Sequence, residues 1–181
     1  SLQYWPRKRA EKFLPSVNWS AIKGGKNFKG FIVYKAGMIS GLVKDSTSDS
    51  LTKDKKIIVP LTVLECPPMK IMSVRFYKNN KSSVEVLSEN LDKELKKVLK
   101  LPTGVLSPKE PTMVEKGKNK RLDEIKTSDY DDVRVIVYSE VRKTNIKKTP
   151  DLIEVALAGN SVEEKLNLAK EKLGKEISIS E

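Results

Sequence analysis

The uneven distribution of charge along the chain is the sequence feature that most constrains its fold. Residues 1–35 hold eight basic residues against one acidic residue, Glu11, which is a net charge of +7. The remaining 146 residues hold 27 basic and 23 acidic residues, a net charge of only +4. A segment this basic, with few apolar residues and no helical period, cannot bury enough apolar surface to fold by itself. We therefore expect residues 1–29 to form an extended arm that becomes ordered on a polyanion, and the other residues to form the folded part.

The residue types that are rare or absent exclude several classes of protein. The chain has one Cys and no His, so it can form neither an internal disulfide nor a Ser-His-Asp triad or His-containing zinc site. No apolar run approaches the roughly 18 residues that a membrane-spanning helix needs. The first twelve residues also lack the apolar core of a secretory signal. We expect a soluble, basic protein of a reducing compartment, with no metal and no cofactor.

The arm combines cations with aromatic residues, which is typical of segments that bind looped or single-stranded nucleic acid. Both tryptophans of the protein, Trp5 and Trp19, lie in it. Trp5 is the predicted stacking residue, and Trp19 is predicted either to stack on a base or to pack against the folded part as an anchor. A solvated tail that only aids solubility is the alternative interpretation of the arm. Lysine and arginine bind phosphates directly, and the predicted phosphate contacts are Arg7, Lys8, Arg9, Lys12, Lys23, Lys26 and Lys29.

Two further basic features lie outside the arm. Lys35 follows a short β-rich run and is a second candidate for RNA contact. A basic loop before Pro150 is predicted either to bind RNA or to be a solvated loop. Its candidate residues are Arg142, Lys143, Lys147 and Lys148.

An acidic cluster offers the only hint of catalytic chemistry. Asp129, Asp131 and Asp132 lie close together in sequence and could in principle hold a metal ion. Adjacent Asp residues in a turn before a strand are more often solvated, and the chain has no His to act as a general base. We therefore do not expect an enzyme.

The hydrophobic periodicity predicts a chain of short strands with two main helices. Residues 133–138 are nearly all apolar and β-branched, which predicts a buried central strand. Residues 57–65 predict a strand with an edge or bulge at Pro60. Residues 161–173 predict a helix that begins at a capping box and ends before a glycine. A further helix is predicted from residue 90 to Pro102.

Several stretches resemble one protein family. The sequence SLQYWPRKRA at residues 1–10 resembles the N-terminal arm of the archaeal L-three family of large-subunit ribosomal proteins, and YKAGM at 34–38 resembles its first strand and turn. Weaker matches follow in the same order: VPLTVLE at 59–65, PPM at 67–69, KTPDLIE at 148–154 and LGKEI at 173–177. The arm is typical of archaeal rather than bacterial members.

The resemblance implies an α+β fold. It consists of a partial translation-protein-type β-barrel with an inserted α/β lobe and an extended basic N-terminal arm. The expected domains are the RNA-binding arm (1–29), the first strands of the barrel (30–77), the inserted lobe (78–176) and the start of the return strand (177–181). The family continues into further barrel strands, so we expect unpaired strand edges that RNA, a partner protein or the missing segment would cover.

The resemblance also implies a function. It is that of a non-enzymatic, structural constituent of the large ribosomal subunit, in the cytoplasm. The implied partners are large-subunit rRNA and neighbouring ribosomal proteins, with no membrane and no small-molecule substrate. The composition alone equally allows a free-standing RNA-binding or RNA-chaperone module outside the ribosome.

Overall fold

A computed structural model describes residues 3, 7–9, 11–22, 24–88, 91–99, 122 and 125–180. The strands in these residues are β1 Tyr34–Lys44, β2 Lys56–Glu65, β3 Met69–Lys78, β4 Lys81–Leu87, β5 Asp132–Ser139, β6 Leu152–Ala156 and β7 Glu176–Ile177. The α-helices are α1 Val141–Thr144 and α2 Val162–Lys172. Short 3-10 helices occupy Trp19–Ala21, Lys93–Lys97 and Thr127–Asp129.

Five strands form one antiparallel sheet. The order is β4-β3-β5-β6, and β7 pairs with the first residues of β3. The predicted buried central strand is confirmed, because β5 lies between β3 and β6. Val133, Val135 and Val137 on β5 are fully buried, as expected for the inward positions of a strand with period two.

Helix α2 covers one face of this sheet, which we call the helix face. The serine half of the predicted capping box is confirmed, since the Glu164 N–H donates to Ser161 Oγ at 3.1 Å. The Glu164 carboxylate accepts from the N–H of the preceding residue, Asn160, at 2.9 Å. Leu166 and Ala169 are buried against the valines of β5. Gly174, with φ of +73°, follows the helix, in the left-handed conformation that favours glycine after a helix end.

The opposite side of the sheet, the open face, carries a smaller apolar cluster. Met72, Leu95 and Tyr138 are buried together there. The helix predicted from residue 90 to Pro102 is wrong within the described residues 91–99, where only Lys93–Lys97 is helical and in the 3-10 form. The cluster needs a single buried side chain, Leu95, from this segment, so one short turn is sufficient to place it.

Strands β1 and β2 form a separate two-stranded hairpin. A β-bulge interrupts β1, where the register shifts between Lys35 and Gly37. Pro60 pairs opposite Ser40, which is tolerated because both strands of a two-stranded sheet are edges. The short β-rich run before Lys35 joins β1 only at its last residue, Tyr34, and the strand then continues to Lys44.

The mixture of antiparallel strands and a few helices confirms the α+β class. The division between barrel and lobe at residues 77 and 78 stays a prediction. Strand β3, assigned from the sequence to the first part, shares its sheet with β4, β5 and β6 from the second part. The five-stranded sheet therefore spans this expected boundary.

Candidate nucleic-acid interface

The second half of the arm is attached to the edge of the five-stranded sheet. The Lys29 N–H donates to the Ala156 carbonyl at 3.0 Å, and the Ala158 N–H donates to the Asn27 carbonyl at 2.8 Å. Phe28 forms a bridge with Leu157. The prediction that the whole arm cannot order itself is therefore wrong for this part, because backbone pairing and buried apolar side chains hold it against β6.

Trp19 is part of the hydrophobic core, with 7% of its surface exposed. It lies over Gly30, where an added Cβ would come within 2.8 Å of the indole. Of the two predicted roles of Trp19, the anchor is the one that the structure shows, since a buried indole is not available for stacking on a base. We correct the sequence-based assignment of Trp19 as an RNA contact accordingly.

Most described residues of the first half of the arm are exposed, although Leu14 packs partly against the core. Phe13 is completely exposed, and the four basic side chains before it are exposed as well. They are Arg7, Lys8, Arg9 and Lys12. Trp5 and Lys23, also predicted as RNA contacts, lie outside the described residues. The described part of this first half thus sets four basic residues against one acidic residue, Glu11.

The other predicted lysines of this region differ in what they contact. Lys26 is exposed, and Lys35 is exposed beside the bulge of β1. The Lys29 ammonium donates to the Ile22 carbonyl at 2.8 Å, so it stabilises the bend of the arm. Lys26 and Lys35 therefore present their charge more openly than Lys29 does.

The predicted basic loop is largely paired with carboxylates. Arg142 Nε lies 2.7 Å from Glu94, and Lys147 Nζ lies 2.6 Å from Asp151. Lys143 contacts both Glu140 at 2.9 Å and Glu176 at 2.5 Å. Lys148 is exposed and forms no salt bridge within the part of the chain that the structure describes. RNA contact by this loop stays a prediction, as does its alternative, a solvated loop.

These ion pairs change the proton affinities of their members. The hydrogen bonds that the Lys143 ammonium donates to Glu140 and then to Glu176 raise the pKa of Lys143. The pairing with Lys143 in turn lowers the pKa of Glu176. Both shifts favour the charged forms, so Lys143 is charged at neutral pH in its contacts with Glu140, which follows β5, and with Glu176 of β7.

Lys147 belongs to a second cluster that attaches the hairpin to the sheet. The Tyr34 hydroxyl donates to Asp151 at 2.5 Å and lies 2.8 Å from Ser139 Oγ. Burial and the hydrogen bond to Asp151 raise the pKa of Tyr34. The Lys147 charge neutralises the Asp151 carboxylate, so this lysine has a structural partner.

A polar network on the open face was not foreseen from the sequence. Glu154 accepts from Arg75 at 3.0 Å, from Arg134 at 3.1 Å and from the Tyr77 hydroxyl at 2.8 Å. The Arg134 guanidinium lies 4.3 Å from the centre of the Tyr77 ring, a cation–π contact. The residues of this network alternate along β3, β5 and β6 with the buried residues. That alternation is the sequence signal that could have identified the network. The network borders an open groove of about 620 Å³ between the sheet and arm residues 11–17.

The acidic cluster is divided among different partners. Asp131 accepts from the Asn79 N–H at 2.6 Å, whereas Asp132 contacts Lys165 at 2.6 Å and Arg134 at 3.0 Å. Within the described residues, no three acidic or Cys side chains are grouped so that they could hold a metal ion. No helix among these residues is long and apolar enough to cross a membrane.

Comparisons with known proteins agree over the whole chain. The family model described as ribosomal protein L3 matches residues 1–181. Proteins named large ribosomal subunit protein uL3 align with all of this chain. The relative from Archaeoglobus fulgidus is 38% identical and the one from Methanocaldococcus jannaschii is 32% identical. The alignment covers 53% of the length of each of these two relatives. The relative from Picrophilus torridus is 31% identical and covered over 52%. The chain thus spans about half the length of these curated relatives, and it belongs to the ribosomal protein L3 family.

Proposed function

We propose that this chain is a structural constituent of the large ribosomal subunit and binds large-subunit rRNA through its arm. The observation that carries this proposal is the pairing of family membership with an exposed run of cations next to a fixed anchor. The relatives are named as large-subunit proteins. We expect neighbouring ribosomal proteins as further partners and the cytoplasmic ribosome as the location.

The anchor gives the arm a defined starting point. Trp19 and the backbone pairs at Asn27 and Lys29 fix the arm to the edge of β6. A fixed root reduces the conformational freedom that the segment loses when it becomes ordered on RNA, which favours binding. Phosphate contacts are then expected from Arg7, Lys8, Arg9, Lys12 and Lys26, and a second-tier contact from Lys35.

The expected mode of recognition follows from the geometry of RNA. An A-form helix hides its base edges in a deep, narrow major groove, so proteins contact phosphates, 2′-hydroxyls and looped bases. Exposed lysine and arginine side chains suit the phosphates, and exposed aromatic rings suit unpaired bases. Phe13 is the fully exposed ring of the described arm, and it joins Trp5 as a stacking candidate.

The finer fold proposal concerns the hairpin. Large apolar side chains are exposed along both of its strands, such as Ile39 and Leu42 on β1 and Ile58 on β2. A hairpin of two strands is marginally stable in water by itself. We propose that β1 and β2 are the first strands of a translation-protein-type barrel whose other strands lie in the half of the relatives that this chain does not span, with residues 78–176 as an inserted lobe.

The experiment that tests the function is co-sedimentation with large ribosomal subunits after a high-salt wash. A ribosomal constituent is expected to stay with the subunit, because its contacts are many and partly buried. A free-standing RNA-binding or RNA-chaperone module is expected to leave, since phosphate contacts alone weaken steeply with salt. Loss of the chain from washed subunits would contradict the proposal and favour that alternative.

A further inference from the structure

The 3-10 helix Lys93–Lys97 presents three lysines on a firmly held support. Its inward side is fixed by Leu95, which is fully buried against Met72 and Tyr138. The residue before the helix, Asp92, accepts from the Tyr138 hydroxyl at 2.7 Å and contacts Lys70 at 3.4 Å. A turn held in this way on one side has few alternative positions.

The three lysines occupy the two outward sides of this turn. In a 3-10 helix, side chains three residues apart eclipse each other. Lys93 and Lys96 therefore share one side, about 6 Å apart along the axis, and Lys97 lies on the adjacent side with Glu94. All three lysines are exposed, and none forms a salt bridge with another described residue.

The one acidic residue on the outward sides is already neutralised. Glu94 pairs with Arg142 at 2.7 Å, and the Arg142 side chain remains 61% exposed. We call the surface made of Lys93, Lys96 and Lys97 the lysine platform. Among the described residues no carboxylate neutralises it, and Arg142 lies beside it. The loop arginine predicted from the sequence as an RNA contact belongs with this platform through Glu94.

We propose that the lysine platform is a second RNA-phosphate contact, separate from the arm; this inference rests on the proposed function. Lysine is depleted in protein–protein interfaces, whereas lysine and arginine supply much of the contact to nucleic-acid phosphates. Among the described residues of the segment 91–99, Val98 is the one exposed large apolar side chain, so the chemistry favours RNA over an acidic protein surface. A support that is already ordered binds without the cost of ordering a loop.

The test compares two variants of the full chain that change the net charge equally. The first replaces the platform, K93Q/K96Q/K97Q, and the second replaces exposed lysines at the hairpin loop, K53Q/K55Q/K56Q. Binding to an RNA stem-loop is measured over a series of KCl concentrations. The platform variant is expected to reduce the slope of log K against log salt by about 2, at about 0.7–0.9 for each phosphate that is no longer neutralised. The hairpin variant is expected to reduce it less, and K93R/K96R/K97R is expected to restore the slope.

The possible failures are distinguishable. If the unmodified chain binds the stem-loop without salt dependence, the proposed function itself fails. If the unmodified chain binds with a steep slope but the platform variant has an unchanged slope, the platform proposal is overturned. An equal reduction in both variants would also overturn it, since net charge alone would then explain the effect. A platform variant with unchanged RNA binding but weaker assembly into subunits would overturn it too, in favour of an acidic protein neighbour.

Discussion

At the scale of single residues, the contact between Gly30 and Trp19 decides where the arm is attached. A Cβ at position 30 would lie 2.8 Å from the indole Cη2, so Gly30→Ala forces the indole or the backbone to shift. We expect the free energy of unfolding to fall by about 1–3 kcal/mol, the usual cost of overpacking a core. Urea unfolding followed by circular dichroism measures it.

Gly37→Ala is the matched control for this substitution. No atom lies within 4 Å of a Cβ built at Gly37, and its backbone is not in the left-handed region. We expect a change within about 0.5 kcal/mol, as for surface substitutions in general. Equal destabilisation of the two variants would contradict the anchoring role of Trp19.

Single residues also show what the sequence alone does not reveal, namely which charged side chains pair with each other. Two ion pairs of the basic loop have a local spacing: Lys143 lies three residues from Glu140, and Lys147 lies four residues from Asp151. The other two partners, Glu94 and Glu176, lie far from their cations in the sequence. The sequence therefore showed which side chains carry charge, and the fold determined which of those charges are neutralised.

At the scale of elements, the sequence predicted a helix correctly where local residues specify both of its ends. Helix α2 was predicted because Ser161, Glu164 and Gly174 specify both of its ends. The segment before Pro102 has leucine spacing, and its first residue, Asn90, lies outside the described residues. Within the described residues, the Asp92 carboxylate binds Tyr138 and Lys70 and makes no capping hydrogen bond to the 3-10 helix that follows it.

The hairpin of β1 and β2 is the element that we expect to open most readily. It pairs with no third strand within the described residues and leaves apolar side chains exposed. We expect its amide hydrogens to exchange at least about tenfold faster than those of β5, which is paired on both edges. Hydrogen exchange followed by mass spectrometry compares the two directly. Equal protection of hairpin and β5 amides would contradict the idea that the hairpin needs further strands.

At the scale of the whole molecule, most of the net charge lies in the first 35 residues and little of it in the folded sheet. The five-stranded sheet pairs many of its own charges, as in the network around Glu154, whereas the first half of the arm has exposed cations. The sequence predicted this division from the charge alone. It left open whether Trp19 anchors the arm, because that depends on backbone pairing at the edge of β6 and on Gly30 admitting the Trp19 ring.

The salt dependence of RNA binding by the arm variant R7A/K8A/R9A tests the central claim most directly. Its three side chains lie beyond the Trp19 anchor, so the substitution is expected to leave the folded part intact. We predict that binding to an RNA stem-loop weakens and that the slope of log K against log salt becomes shallower by about 0.7–0.9 for each phosphate that is no longer neutralised. A slope equal to that of the unmodified chain would contradict the claim that the arm binds RNA phosphates.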